Sequence, residues 1–107
     1  MKLRNNFSTE DRELWIWWYT CFYCGKNQWN CLHHILGRSS SSILNSAPLH
    51  NIGCHIGNGK LATFEVQKKL LKKTYEYLMS NGYSLTEDDT MFIQKNKKYY
   101  NDICKRE

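Results

Sequence analysis

Cys21-Phe22-Tyr23-Cys24-Gly25 decides how the rest of the chain is read. Two thiolates at i and i+3 on a tight turn reach the same ion, with Zn–S distances of roughly 2.3 Å, and the spacing is that of a zinc knuckle. A second pair, His50-x3-Cys54, lies downstream and completes a tetrahedral set of three cysteines and one histidine. The 25 residues between Cys24 and His50 leave room for two short strands. One candidate is Trp29 to His34. The other is Ala47-Pro48-Leu49-His50, where Pro48 marks an edge or a strand start.

Working outward, residues 1–7 read as a short basic arm. Ser8 followed by Glu10 and Asp11 predicts a helix from about Thr9, because an N-cap and acids in the first turn suit the positive end of the helix dipole. Leu14, Trp17 and Trp18 recur at helical spacing and are expected in the core rather than as stacking platforms for bases. Gly37-Arg38-Ser39-Ser40-Ser41-Ser42 is a small polar loop, too short for a linker. From Lys60 the period turns helical, with Phe64, Gln67 or Lys68, Leu71, Thr74 or Tyr75, and Leu78 on one face and Asn81-Gly82 as the C-cap. Thr86-Glu87-Asp88-Asp89 opens a last helix running to about Ile103, with Met91, Ile93, Tyr99 and Tyr100 as packing residues. Lys95, Lys97 and Lys98 form a solvated face. The expected architecture is one α+β domain over 1–107. Its small ββα core with a zinc staple covers about 18–75, preceded by a helix and followed by a helical extension over 84–104.

The chain has 107 residues and a formal net charge of +5. Its longest apolar run, Leu14 to Phe22, is far short of the roughly 18 residues that a spanning helix needs. That run follows Glu10-Asp11-Arg12-Glu13, so Met1-Lys2-Leu3-Arg4 does not open a signal peptide. Five cysteines cannot all pair with one another, and in a reducing compartment they read as ligands or core thiols. A soluble, cytoplasmic protein is expected, in the host cytoplasm if a phage encodes it. Leu14 to Phe64 is 51 residues without a carboxylate side chain. An anionic phosphate backbone meets no repulsion from this segment, and any metal site inside it must use His, Cys or amide oxygens.

His33-His34 lies between the two halves of the zinc set, and His55 directly follows Cys54. Imidazole can bind a metal or act as a base near neutral pH. A cation held by His33 and His55 keeps positions open for water and a phosphate oxygen, as a Lewis-acid hydrolase requires. The order Cys21-x2-Cys24, His33-His34-Ile35, Asn45, Cys54-His55 resembles the HNH endonucleases of the ββα-metal, treble-clef fold. The branch it is most similar to is phage endonuclease VII and the phage Rap/NinG recombination nucleases, with Gly57-Asn58-Gly59-Lys60 similar to the Gly-Asn segment of the latter. The resemblance implies His33 and His55 as ligands of a catalytic Mg2+ or Mn2+, His34 as the general base, and Asn45 as the loop residue that braces the base. Gly59 stands where many HNH enzymes have a third ligating histidine. This leaves two protein ligands plus water, or Asn58 supplying an amide oxygen.

The function expected on these grounds is a DNA endonuclease with a structural zinc on Cys21, Cys24, His50 and Cys54. Arg38 and Lys60 are phosphate contacts by charge and position. A nuclease selective for branched or junction DNA, working as a homodimer, is the alternative among enzymes. A zinc-stapled nucleic-acid-binding module without cleavage is the alternative outside them. Cys31 shares the first strand and is expected in the core, and Cys104 has no assigned role.

Overall fold

The computed structural model describes residues 7, 12–15, 18, 20–26, 28–29, 31–37, 42–50, 54 and 59–104, the last four for their helical backbone only. Two strands, β1 (Cys31–His34) and β2 (Ser46–Leu49), form an antiparallel ribbon. Cys31 lies opposite Leu49, Leu32 opposite Pro48, His33 opposite Ala47 and His34 opposite Ser46. In a two-stranded ribbon every strand has an outer edge, so a proline without an N–H is tolerated in β2. The Pro48 carbonyl accepts a 2.9 Å hydrogen bond from the Phe22 N–H, which ties the Cys21–Cys24 turn to β2. That turn closes through Gly25 N–H to the Cys21 carbonyl and Cys21 N–H to the Lys26 carbonyl, both 2.9 Å, with Gly25 at φ 79°.

Three helices follow, α1 (Phe64–Ser80), α2 (Glu87–Lys95) and α3 (Lys97–Cys104), so the class is α+β. Thr63 caps α1 by accepting from the Val66 N–H, and Leu70, Leu71, Thr74 and Leu78 form its buried face. The helix ends at Asn81 with Gly82 left-handed at φ 78°, and the Tyr83 N–H returns to the Leu78 carbonyl at 3.0 Å. Phe64 does not join the buried face: it is 43% exposed and packs on Tyr99 of α3, ring centroids 4.9 Å apart.

Two expectations are changed by the structure. Trp15 and Trp18 each donate their N–H to a carbonyl three residues back. Trp15, which was not among the expected packing residues, is fully buried, Trp18 is half-buried against the core, and Leu14 is exposed. Trp17 lies outside the described residues. The last helix is two helices. Asn96 ends α2 by folding its side-chain amide onto the Phe92 carbonyl, 2.8 Å, and its own carbonyl accepts from Tyr99 N–H as α3 begins. Phe92 is therefore the buried residue and Met91 is half exposed, while Tyr99 and Tyr100 are buried as expected. No helix among the described residues is long and apolar enough to cross a membrane.

Asp89 is not a solvated first-turn acid. It is 2% exposed and accepts from the Ser42 hydroxyl at 2.7 Å, the Thr86 N–H at 2.9 Å and the Tyr83 hydroxyl. Thr86 returns a bond from the Asp89 N–H, completing a capping box. This side chain docks α2 onto the loop before β2. Leaving buried donors without an acceptor costs about 1–3 kcal/mol, and loss of a cap about 1 kcal/mol more. Asp89→Ala should therefore lower the unfolding free energy by about 2–4 kcal/mol in a urea titration, whereas exposed Asp88→Ala should change it by under about 0.5 kcal/mol. Equal effects of the two substitutions would contradict this role.

Candidate functional site

Cys21, Cys24, His50 and Cys54 converge, with their ligand atoms all within 4.8 Å of one another. Cys21 and Cys24 come from the tight turn, His50 from the end of β2 and Cys54 from the segment beyond it. His50 Nδ1 lies 3.3 Å from Cys24 Sγ and 3.8 Å from Cys54 Sγ. Tetrahedral coordination at Zn–S of about 2.3 Å and Zn–N of about 2.0 Å sets such S···N edges near 3.5 Å. The two observed edges bracket that value. The donor set and spacing thus fit a metal such as zinc, and no carboxylate is needed.

The thiols of this group are unequal. Burial pushes Cys21 up, but backbone N–H donors of Cys24, His50 and Tyr23, with the Cys54 thiol, outweigh it and lower the pKa to about 7. The Tyr23 and Cys24 N–H groups stand 3.3 and 3.5 Å from its sulfur. Cys54 is pushed up to about 12 by burial, then by hydrogen bonds with Cys24 and Cys21 and by their charge. A bound cation reverses this penalty, because it replaces repulsion between thiolates with attraction to a shared centre. Cys31 takes no part. It is half-buried on β1, with its thiol pushed up by burial and by the Cys21 charge.

The second expected site is described in part. His33 and His34 line a cleft of about 480 Å³ together with Ile35, Leu36, Gly37, Gly59, Leu61, Ala62 and Gln67. Its other walls include the 3₁₀ turn Gly59–Ala62 and the first turn of α1. Phe7 is buried flat against His34, ring centroids 4.1 Å apart and planes 12° apart. Nothing in the basic arm signalled this contact.

Asn45 is wholly buried at the end of the 3₁₀ turn Ile43–Asn45. Its Oδ1 accepts from the Leu36 N–H at 2.8 Å, its Nδ2 donates to the Gly37 carbonyl at 3.0 Å, and its backbone carbonyl accepts from Ile35 N–H at 2.8 Å. The bracing residue therefore grips the chain that leaves β1, immediately after His34.

Lys60 is exposed but lines a different groove, of about 600 Å³, with Tyr23, Lys69 and Glu65 among its walls. His55, Asn58 and Arg38 lie outside the described residues. Gln67, read only as one of two candidates for the apolar face of its helix, is instead a polar wall of the histidine cleft.

Cys24 is exposed, so removing its sulfur costs little packing and isolates its role as a ligand. Purified protein should carry about one zinc per chain, and a chelator should lower its melting temperature, since structural zinc contributes on the order of 10 kcal/mol in small domains. Cys24→Ala should lose both the zinc and the chelator sensitivity. Cys54 must surrender a proton to the metal, and Cys21 gains one as pH falls through about 7. Zinc affinity should therefore fall as pH is lowered, and titration calorimetry in buffers of different ionisation heat should register proton release on uptake. Comparison with family models, with curated proteins and with solved structures finds no match, so the donor geometry and the cleft are what bear on function.

Proposed function

We propose that this chain is a metal-dependent DNA endonuclease of the HNH type, built on a treble-clef zinc staple formed by Cys21, Cys24, His50 and Cys54. The observation that carries the reading is the conjunction at the end of β1. His33 and His34 both line one cleft, and the buried Asn45 amide fixes the two residues after Ile35 by one bond in each direction. A side chain spent on loop backbone beside two histidines is what a site needing fixed imidazoles requires.

In this reading a divalent cation, Mg2+ or Mn2+, held by His33 and His55 with Asn58 as a further oxygen donor, would supply charge stabilisation to the phosphorane and the leaving oxygen. His34 is the general base. It takes a proton from water as the water oxygen bonds to phosphorus and the bond from phosphorus to the 3′ oxygen breaks in line. The 3′ oxygen then takes a proton from solvent, leaving a 3′-hydroxyl and a 5′-phosphate. The flat contact with Phe7 restrains the plane of the His34 ring. Arg38 and Lys60 hold flanking phosphates; Leu14 to Phe64 brings no carboxylate to that approach, and at Lys60 the neighbouring Glu65 is offset by Lys69 in the same groove. Contacts of this kind position the backbone without reading bases, so sequence preference should be weak.

The second reading, a zinc-stapled nucleic-acid-binding module without cleavage, is favoured by the same Phe7, which covers one face of His34. One experiment separates them. Supercoiled, linear and four-way-junction DNA are incubated with the protein in Mg2+, Mn2+ or EDTA. Cleavage should require the cation, and His34→Ala should reduce it by ~10²–10⁴, the usual worth of a general base, with zinc content and DNA affinity near wild type. Preferential cutting of the junction by a dimeric protein would select the structure-specific form of the reading. Wild-type protein that binds DNA and cuts nothing with any cation would replace the nuclease by the binding module.

A further inference from the structure

The cleft that holds His33 and His34 has one more polar side chain among its described walls, and it belongs to a different part of the chain. Gln67 sits in the first turn of α1, half-buried, and its Oε1 accepts a 2.9 Å hydrogen bond from the hydroxyl of Tyr99. Tyr99 is 8% exposed on α3, beyond the zinc-stapled core, and its ring packs on Phe64. The Lys98 ammonium lies 5.8 Å from the Phe64 ring and 5.4 Å from the Tyr99 ring, a cation–π arrangement that holds positive charge beside the same pair. The Tyr99 end of the Gln67–Tyr99 bond is thus restrained by packing.

A carboxamide has one acceptor oxygen and one donor nitrogen on the same carbon. When a phenol takes the oxygen, the amide can no longer flip freely, and its N–H donors stay on the other arm. The remaining described walls are Ile35, Leu36, Gly37, Gly59, Leu61 and Ala62, none of which carries a polar side chain. We infer that Gln67 is a phosphate contact of this cleft, donating from Nε2 to a non-bridging oxygen of the DNA backbone, and that Tyr99 is the positioning residue that sets its amide. The inference rests on the proposed nucleic-acid reading. It gives the C-terminal helices a role in the site: they fix a donor in the cleft that the histidines line.

The test uses the full chain, with fluorescent duplex and four-way-junction DNA as probes and both affinity and cleavage as readouts. Gln67→Glu keeps the size and the acceptor for Tyr99, but puts a carboxylate where the phosphate needs a donor. It should weaken DNA binding and raise KM by roughly 10- to 100-fold, in line with a lost hydrogen bond to a charged group, with kcat within about 2-fold and the melting temperature unchanged. Tyr99→Phe keeps the ring on Phe64 and Lys98 and removes only the hydroxyl. It should weaken binding by about 2- to 5-fold, and in the Gln67→Ala background it should add nothing, since a positioning residue acts through the residue it positions. A purely structural Tyr99 would instead add its full effect in that background and lower the melting temperature.

The outcomes separate the two levels of the argument. Wild-type cleavage that is unaltered in Gln67→Glu, at unaltered affinity, overturns this inference and leaves the nuclease standing. Wild-type protein that binds DNA without cutting it overturns the nuclease, and the same affinity series then decides on Gln67. Wild-type protein that does not bind DNA at all overturns both.

Discussion

The convergence of Cys21, Cys24, His50 and Cys54 on one point is the constraint from which the rest of the structure follows. Cys24 and His50 are 26 positions apart, and the chain between them is the two-stranded ribbon with its loop. A two-stranded ribbon is marginal by itself in water. Bringing its flanks to a common centre closes it from outside, and the bond from Phe22 N–H to the Pro48 carbonyl sets the distance between the knuckle and β2. The knuckle's aromatic neighbours then become the floor for α1. Phe22 packs edge-on to Trp15, Trp15 stacks on Tyr77 at 4.5 Å, and Lys73 of α1 donates to the Phe22 carbonyl at 3.2 Å.

Polar atoms inside that packing fix where the histidines stand. Ser46, directly opposite His34, is fully buried. Its hydroxyl accepts from Trp15 Nε1 at 2.9 Å and donates to the Ile43 carbonyl at 2.7 Å, and its carbonyl accepts from the Thr74 hydroxyl at 2.6 Å. Burying so many polar groups is tolerable only because they satisfy one another. The consequence is that the register of β2 is pinned from the helix side, and β1 with it, since a slip of one residue would turn every side chain of the ribbon over.

What the sequence disclosed follows from which interactions are local. The ligand quartet, the two strands within a few residues, and the long helix with its Asn81-Gly82 end are written in spacing and capping residues, so they were readable. Trp15 was overlooked as a core residue because the face through Leu14 and Trp18 passes it by, whereas the fold buries it against Phe22 and Tyr77. The break at Asn96 is hidden, since an asparagine folding back on the Phe92 carbonyl looks like any other polar helix residue. Asp89 was legible only as part of the acidic opening of a helix, because its partner Ser42 is 47 positions away. Phe7 on His34 and Tyr99 on Gln67 are long-range contacts of the same kind. Spacing rules see neighbours along the chain, and these pairs exist only in the folded one.

Asn45 shows how the two kinds of information meet. Its residue type and its place after the histidine pair suggested a brace, and its three bonds to Ile35, Leu36 and Gly37 supply the physical form of one. The backbone leaving His34 is thereby held on its carbonyl and its amide side. The general-base role proposed for His34 requires its imidazole to be held in a fixed place. His34 has a restraint on three sides, with Asn45 beyond the strand end, Ser46 across the pair and Phe7 over the ring. Asn45 and Ser46 belong to the hairpin, but Ser46 is itself pinned by Trp15 and by Thr74 of α1, and Phe7 comes from the N-terminal segment. The geometry at His34 therefore depends on segments well outside the stretch that first suggested it.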